Sequence, residues 1–254
     1  MSIVFDPRSG PCGHCDWCMS GSDRCRNELM PMAGWKRGVM RHRTNGDGRP
    51  VVSLDIDGTL GDYQTNFLTF ARSYFGRAPR EWTTENPGMP MWEWMGIPQH
   101  EYREAKLAYR QGGWKRWMPV YPGALELTHA IRSAGAEVWL CTTRPYLRLD
   151  NVDPDTREWL RRNGMQYDAV LFDRIEAKGS KYRELWAQAG HRVACVIDDL
   201  PEMVEEAARI WSADRVILRD QPYNQHFPWP RRAFDLQSMR QAVLTDIKLW
   251  EQSQ

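Results

Sequence analysis

Val51-Val52-Ser53-Leu54-Asp55-Ile56-Asp57-Gly58-Thr59-Leu60 is the stretch on which the rest of the chain is read. Its short apolar run predicts a strand over Val51–Ile56. Two carboxylates, Asp55 and Asp57, then stand two residues apart just before a glycine turn. Side chains at i and i+2 of a strand point the same way, so both acids can face one site where the strand ends.

Working outward, similar apolar runs recur at Ala136–Cys141, Ala169–Phe172, Val193–Ile197 and Arg215–Leu218. Between them lie amphipathic segments at Ala124–Ala134, Asp153–Arg162, Lys181–Ala189 and Pro201–Trp211, with Gly135, Gly164 and Gly190 where helix C-caps belong. Strands separated by single helices predict a doubly wound, Rossmann-like parallel α/β sheet with right-handed crossovers. In such sheets ligands bind beyond the carboxyl ends of the strands, which is where Asp55 and Asp57 fall. From Asp62 to about Pro119 the only periodicity is helical, as in Tyr63–Tyr74 and Glu101–Arg110, which predicts a helical cap inserted at about 62–119. The turn-rich Thr44-Asn45-Gly46-Asp47-Gly48-Arg49-Pro50 predicts a boundary between a cysteine-rich appendage, 1–49, and an α/β domain, 50–254, that closes with a helix around Ser238–Trp250.

Asp55-Ile56-Asp57-Gly58-Thr59-Leu60 resembles the first motif of the haloacid dehalogenase superfamily of phosphohydrolases. Val138-Trp139-Leu140-Cys141-Thr142 resembles the second, Lys181 the third, and Val196-Ile197-Asp198-Asp199 the fourth. The resemblance covers residues 51 to about 220 and implies a Mg²⁺-dependent phosphomonoester hydrolase. Asp55 would be the nucleophile that forms an aspartyl-phosphate. Asp57 would protonate the leaving oxygen and then deprotonate the attacking water. Thr142 and Lys181 would stabilise the phosphoryl group, with Lys178 the alternative lysine. Asp55, the backbone carbonyl of Asp57, and Asp198 would hold Mg²⁺, with Asp199 in support through a water. The resemblance also makes the second acid, Asp57, the mark of a phosphatase, since the dehalogenases lack it.

Thr143-Arg144-Pro145-Tyr146 and Arg219-Asp220-Gln221-Pro222-Tyr223-Asn224 are similar to the 5'(3')-deoxyribonucleotidase branch, as is Pro122-Gly123 at the cap's end. That implies a nucleoside monophosphate substrate; Thr143 and Arg144, which follow a strand end, are expected at the phosphate, with a salt bridge the alternative for Arg144. Phe67, Phe70, Tyr74, Trp82, Trp92, Trp94, Trp114 and Trp117 are expected either to stack on the base or to fill the cap's own core. Asp155-Thr156-Arg157-Glu158-Trp159-Leu160 with Gly164-Met165-Gln166-Tyr167-Asp168 resembles the phosphatase domain of bacteriophage polynucleotide kinase-phosphatases, the basis of a second expectation, a polynucleotide 3'-phosphatase.

Cys12, Cys15, Cys18 and Cys25 supply four thiolates, with His14 as a possible replacement. The spacing predicts a structural Zn²⁺ site; an iron-sulfur cluster is the alternative. Arg24, Arg26, Lys36, Arg37, Arg41, His42, Arg43 and Arg49 form a local basic patch able to follow a phosphate backbone, so a non-catalytic zinc-module adaptor for nucleic acid or protein is a third expectation. Cys141 and Cys195 fall in strands and read as core residues.

The balance of 34 Lys plus Arg against 33 Asp plus Glu predicts no strong global field, and no apolar run is long enough for a membrane span. With no secretory leader evident after Met1, a reducing cytoplasm is the expected location, and disulfides are not expected. The 13 Trp anticipate a large aromatic core or a ring-stacking surface.

Overall fold

The computed structural model describes residues 48–77, 80, 88–144, 151–173 and 179–254. The four clustered cysteines and the basic patch before Gly48 lie outside the described residues, as do Trp82 and Lys178.

Six strands form one parallel sheet in the order β3-β2-β1-β4-β5-β6: β1 Val51–Leu54, β2 Glu137–Thr142, β3 Ala169–Phe172, β4 Val193–Asp198, β5 Val216–Arg219 and β6 Arg232–Ala233. The chain winds from β1 outward to β3, then returns to the other side of β1 for β4. The order therefore reverses at β1, and the crevice that this creates lies at its carboxyl end. All four β1 residues are buried, as a central strand covered on both faces requires.

The faces divide by the period of two. Val52, Leu54, Val138, Leu140 and Ile197 pack on one side with α4 (Ala124–Ser133), α5 (Val152–Arg162) and α8 (Leu236–Gln252). Val51, Trp139, Cys141, Val196 and Leu218 pack on the other with α6 (Ser180–Ala189) and α7 (Pro201–Trp211). Cys141 and Cys195 are buried, unpaired core residues.

Between β1 and α4 lie α1 (Tyr63–Phe75), α2 (Met91–Trp94), α3 (Gln99–Gln111) and a 3₁₀ turn, Trp114–Trp117. Asp62 caps α1 by accepting from the Thr65 N–H at 3.0 Å. These helices bury Phe67, Phe70, Trp94 and Tyr109 against one another in a separate small core, with the rings of Phe67 and Tyr109 meeting edge-on at 5.4 Å. The two ends of the segment meet: Gly61 bridges Val120, and the Asp62 N–H donates to Pro119 O at 2.8 Å. That junction directly follows the Asp57-Gly58-Thr59-Leu60 turn, so the helices stand over the end of β1.

The five expected strands and the named helices are all present, most with an end displaced by one or two residues; β1 stops at Leu54, which leaves Asp55–Leu60 to form the turn. The two-residue β6 carries too little pattern to be read from sequence. Among the described residues, no helix is long and apolar enough to cross a membrane.

Candidate active site

Asp55 leaves the end of β1 with its N–H donating to Ile197 O of β4 at 2.9 Å, which holds the two strand ends side by side. Asp198 ends β4 and Asp199 follows it. Oxygens of Asp55, Asp198 and Asp199 lie within 4.8 Å of one another, and all three residues are buried. An all-oxygen donor set of three buried carboxylates fits a hard divalent cation that keeps some waters, as Mg²⁺ does.

Lys181 enters this cluster from the first turn of α6. Its ammonium donates to Asp198 Oδ2 at 2.7 Å, Asp55 Oδ1 at 3.1 Å and Cys141 O at 3.0 Å. Asp173, just past β3, fixes that turn by accepting from the N–H groups of Gly179 (2.8 Å) and Lys181 (3.1 Å) and from the Ser180 hydroxyl (2.8 Å). Tyr182 donates to Asp198 Oδ2 at 2.6 Å. Asp199 accepts from the Tyr223 hydroxyl, and its carbonyl accepts from Asn224 Nδ2 at 2.7 Å. At Gly58, φ is +89°, and a Cβ there would collide with the Asp199 carboxylate and the Tyr223 hydroxyl, so glycine is needed for both reasons.

Burial pushes Asp55 up to about 7; Lys181 opposes that rise and the Asp198 charge adds to it. Burial, then the charges of Asp198 and Asp55, hold Asp199 well above the usual carboxylate range. Lys181 goes the other way: burial disfavours its charge, but Asp198 and Asp55 together hold it above the ordinary lysine value. The cluster carries more negative charge than one lysine neutralises.

Asp57 occupies a different environment. Arg144 forks onto it, Nη2 to Oδ1 at 2.6 Å and Nε at 3.1 Å, and Lys115 of the 3₁₀ turn forms a second, close ion pair. Burial would raise Asp57, but Arg144 and then Lys115 outweigh it and hold the carboxyl well below its usual range. Arg144, expected on substrate phosphate, is buried with Nη1 on the Thr156 hydroxyl at 2.9 Å. Thr142 lies beside it, its hydroxyl 3.4 Å from the Arg144 N–H.

Asp57, Thr143, Arg144 and Asp199 line a cavity of about 540 Å³ that extends under the inserted helices. Among the described residues, the aromatic side chains expected either to stack on a base or to fill the cap's core are not on its wall. Phe67, Phe70 and Trp94 are buried in the helices' own core, Trp114 packs on Phe70, and Tyr74, Trp92 and Trp117 also lie off the cavity. Helical spacing turns the apolar rings of Phe67, Phe70 and Trp94 inward; among the described residues, the aromatic rings that line the cavity are those of Tyr63, Tyr102, Tyr121 and Tyr223 and the His226 imidazole.

Asp55, Asp57, Thr142, Thr143, Arg144, Lys181, Asp198 and Asp199 thus gather around one crevice. Lys115, Asp173 and Tyr182 were not among the expected site residues, and Tyr223 entered only within the Arg219–Asn224 stretch, without a role of its own. Asp173 and Tyr182 had positional signals, one directly after a strand and the other beside Lys181. Lys115, within Gly113-Trp114-Lys115-Arg116-Trp117, had none.

No family model matches the chain. Three solved structures share its architecture. One described as a haloacid dehalogenase-like hydrolase from Streptococcus pneumoniae covers 76% of this chain and 97% of its own at 14% identity, TM-score 0.52. One described as a "predicted phosphatase" from Clostridium acetobutylicum covers 78% and 99% at 14% identity, TM-score 0.56. Mycobacterium tuberculosis Protein Tyrosine Kinase A covers 78% and 99% at 20% identity, TM-score 0.55. The fold is that of the haloacid dehalogenase-like proteins. In sequence, the chain is 28% identical over 109 residues to an Oceanobacillus iheyensis protein named "putative nucleotidase"; the match spans 42% of this chain and about half, 53%, of the relative.

Proposed function

We propose that this protein is a Mg²⁺-dependent phosphomonoester hydrolase that works through an aspartyl-phosphate on Asp55, with nucleoside and deoxynucleoside monophosphates as its first substrate class. The observation that carries the reading is the meeting of Asp55, Asp198 and Asp199 with Lys181 at the ends of β1 and β4, beside a cavity that Asp57 also lines. A purely adaptor role gives no reason to crowd three buried carboxylates together, since each is costly to desolvate.

Mg²⁺ would be held by Asp55, the Asp57 carbonyl and Asp198, with Asp199 in support; its charge lets a phosphate dianion approach these acids. An Asp55 oxygen attacks phosphorus as the ester P–O bond breaks, and the leaving oxygen takes a proton from Asp57. Water then attacks the acyl phosphate, Asp57 takes its proton, and the bond between phosphorus and Asp55 breaks. Thr142 and Lys181 donate to the phosphoryl group. Arg144 and Lys115 keep Asp57 ionised in the free site, the form that the second half-reaction uses. For the first half, the arriving phosphoryl oxygens must draw these cations off Asp57 so that it can carry a proton.

The nucleotide assignment draws on the nucleotidase-named relative and on the tyrosine-lined cavity. Phosphate release from a panel of 5'- and 3'-nucleotides and sugar phosphates, with Mg²⁺ and with EDTA, tests it. Mg²⁺-dependent release favouring nucleotides is expected. Preference for sugar phosphates refutes the substrate class, and release that survives EDTA refutes the metal.

A further inference from the structure

The cavity beside the carboxylate cluster is lined by the acids Asp57, Asp199 and Glu202 and by four cations, two of which do not contact those acids. Lys106, Arg110, Lys115 and Arg144 all line it. Arg144 and Lys115 are matched by Asp57. Lys106 and Arg110 are not: among the described residues neither has a carboxylate partner, and the Lys106 ammonium contacts only a ring face, 5.3 Å from the centre of Tyr102.

Tyr102, Lys106 and Arg110 are spaced one helical turn apart on α3, and all three face the cavity, so this is a built stripe rather than a scatter of surface charge. Two like charges one turn apart weaken a helix, and partial burial adds a desolvation cost. The crowding registers on Lys106, which burial and then the Arg110 charge bring down to about 8. A ligand that delivers negative charge to this wall relieves both costs.

We propose that Lys106 and Arg110 form a second anion subsite, so that within the phosphomonoester class a small substrate carrying a second phosphate group binds ahead of the corresponding monophosphate. The inference rests on the phosphatase reading for the first phosphate and extends it by naming what the rest of the substrate bears. A cavity of about 540 Å³ suits a compact bisphosphate, with Tyr63, Tyr102 and Met91 walling the body between the two charges.

The test uses Asp55→Asn protein with Mg²⁺ and calorimetric binding of matched pairs: deoxyadenosine 5'-monophosphate against its 3',5'-bisphosphate, and ribose 5-phosphate against ribose 1,5-bisphosphate. At least one bisphosphate should bind about tenfold more tightly than its monophosphate, and Lys106→Met or Arg110→Met should collapse that ratio, with Lys106→Arg restoring it. Equal binding within both pairs, or variants that weaken both members alike, overturns the subsite. Tighter binding of a 3'-phosphorylated oligonucleotide than of any bisphosphate overturns the small-molecule assignment. Hydrolysis of p-nitrophenyl phosphate by the unmodified protein reports separately on the phosphatase reading: no turnover together with preferential bisphosphate binding removes the chemistry and leaves the subsite standing.

Discussion

Replacing Lys181 with methionine removes a cation from the most buried part of the site while keeping most of the side-chain volume. In the folded protein, the Lys181 ammonium lies 2.7 Å from Asp198 and 3.1 Å from Asp55, with Lys181 and Asp198 fully buried and Asp55 nearly so. Removing one partner of a buried ion pair costs about 3–5 kcal/mol, because the remaining charge is uncompensated. Asp198 keeps its bonds from Tyr182 and the Leu200 N–H, which places the expected loss toward the lower figure. For a domain of this size, that is roughly a 10 °C fall in melting midpoint in EDTA. Mg²⁺ brings positive charge to the same carboxylates, so saturating metal should raise the variant's midpoint more than that of the unmodified protein. Phosphate release should fall on the order of a hundredfold, as for the loss of one charge-stabilising donor. Thermal melts followed by circular dichroism, with EDTA and with Mg²⁺, measure both stability effects. A midpoint in EDTA within about 2 °C of the unmodified protein, or equal metal-induced increments, would refute the placement of Lys181 as the counter-ion of this cluster.

Lys106→Met should stabilise the ligand-free protein at neutral pH by about 1–2 kcal/mol, since it removes a partly buried cation that has no carboxylate partner among the described residues. The folded value of Lys106, about 8, lies below its unfolded value of 10.5. The unfolded chain therefore binds the extra proton between them, and the advantage of the methionine variant in urea titrations should shrink as pH rises through that window. Asp173→Ala removes three hydrogen bonds from the start of α6 and should cost about 1–2 kcal/mol; kcat should drop more than KM rises, and Asp173→Asn should recover part of the loss. Asp55 is raised from 3.8 to about 7, so in EDTA the folded state keeps a proton that the unfolded chain has released. The stability of the unmodified protein relative to Asp55→Asn should therefore decline from about pH 4 to pH 7, and a flat difference in urea titrations across that range would contradict the burial argument.

The parallel sheet was legible because its strands are continuous apolar runs and its helices carry glycine stops, both local signals. The Asp55–Asp57 pair and Asp198–Asp199 were legible because they end such runs, and strand ends are where a doubly wound sheet places its ligands. What stayed hidden depends on tertiary approach. Lys115 sits 58 positions from Asp57 and reaches it only because the inserted helices fold back over the β1 turn. Arg144 was visible beside its strand, but its partner depended on where Asp57 pointed. The aromatic residues of the insertion left two readings open, because a helix needing its own core and a helix offering rings to a ligand have the same composition; the described rings follow the core reading. Among the described residues, the tyrosines that reach the cavity come from separate parts of the chain, Tyr63 from α1, Tyr102 from α3, and Tyr121 and Tyr223 from beyond the inserted helices, whereas Tyr109 of α3 is buried in the helices' own core.

A carboxylate oxygen of Asp55 is the proposed acceptor of the phosphoryl group. Rapid acid quench of the Mg²⁺-loaded protein during turnover, followed by peptide mass spectrometry, measures this directly. One phosphoryl increment on the peptide containing Asp55, absent in Asp55→Asn along with phosphate release, is the predicted result. Undiminished phosphate release by Asp55→Asn, or a phosphoryl group on a different residue, would contradict it.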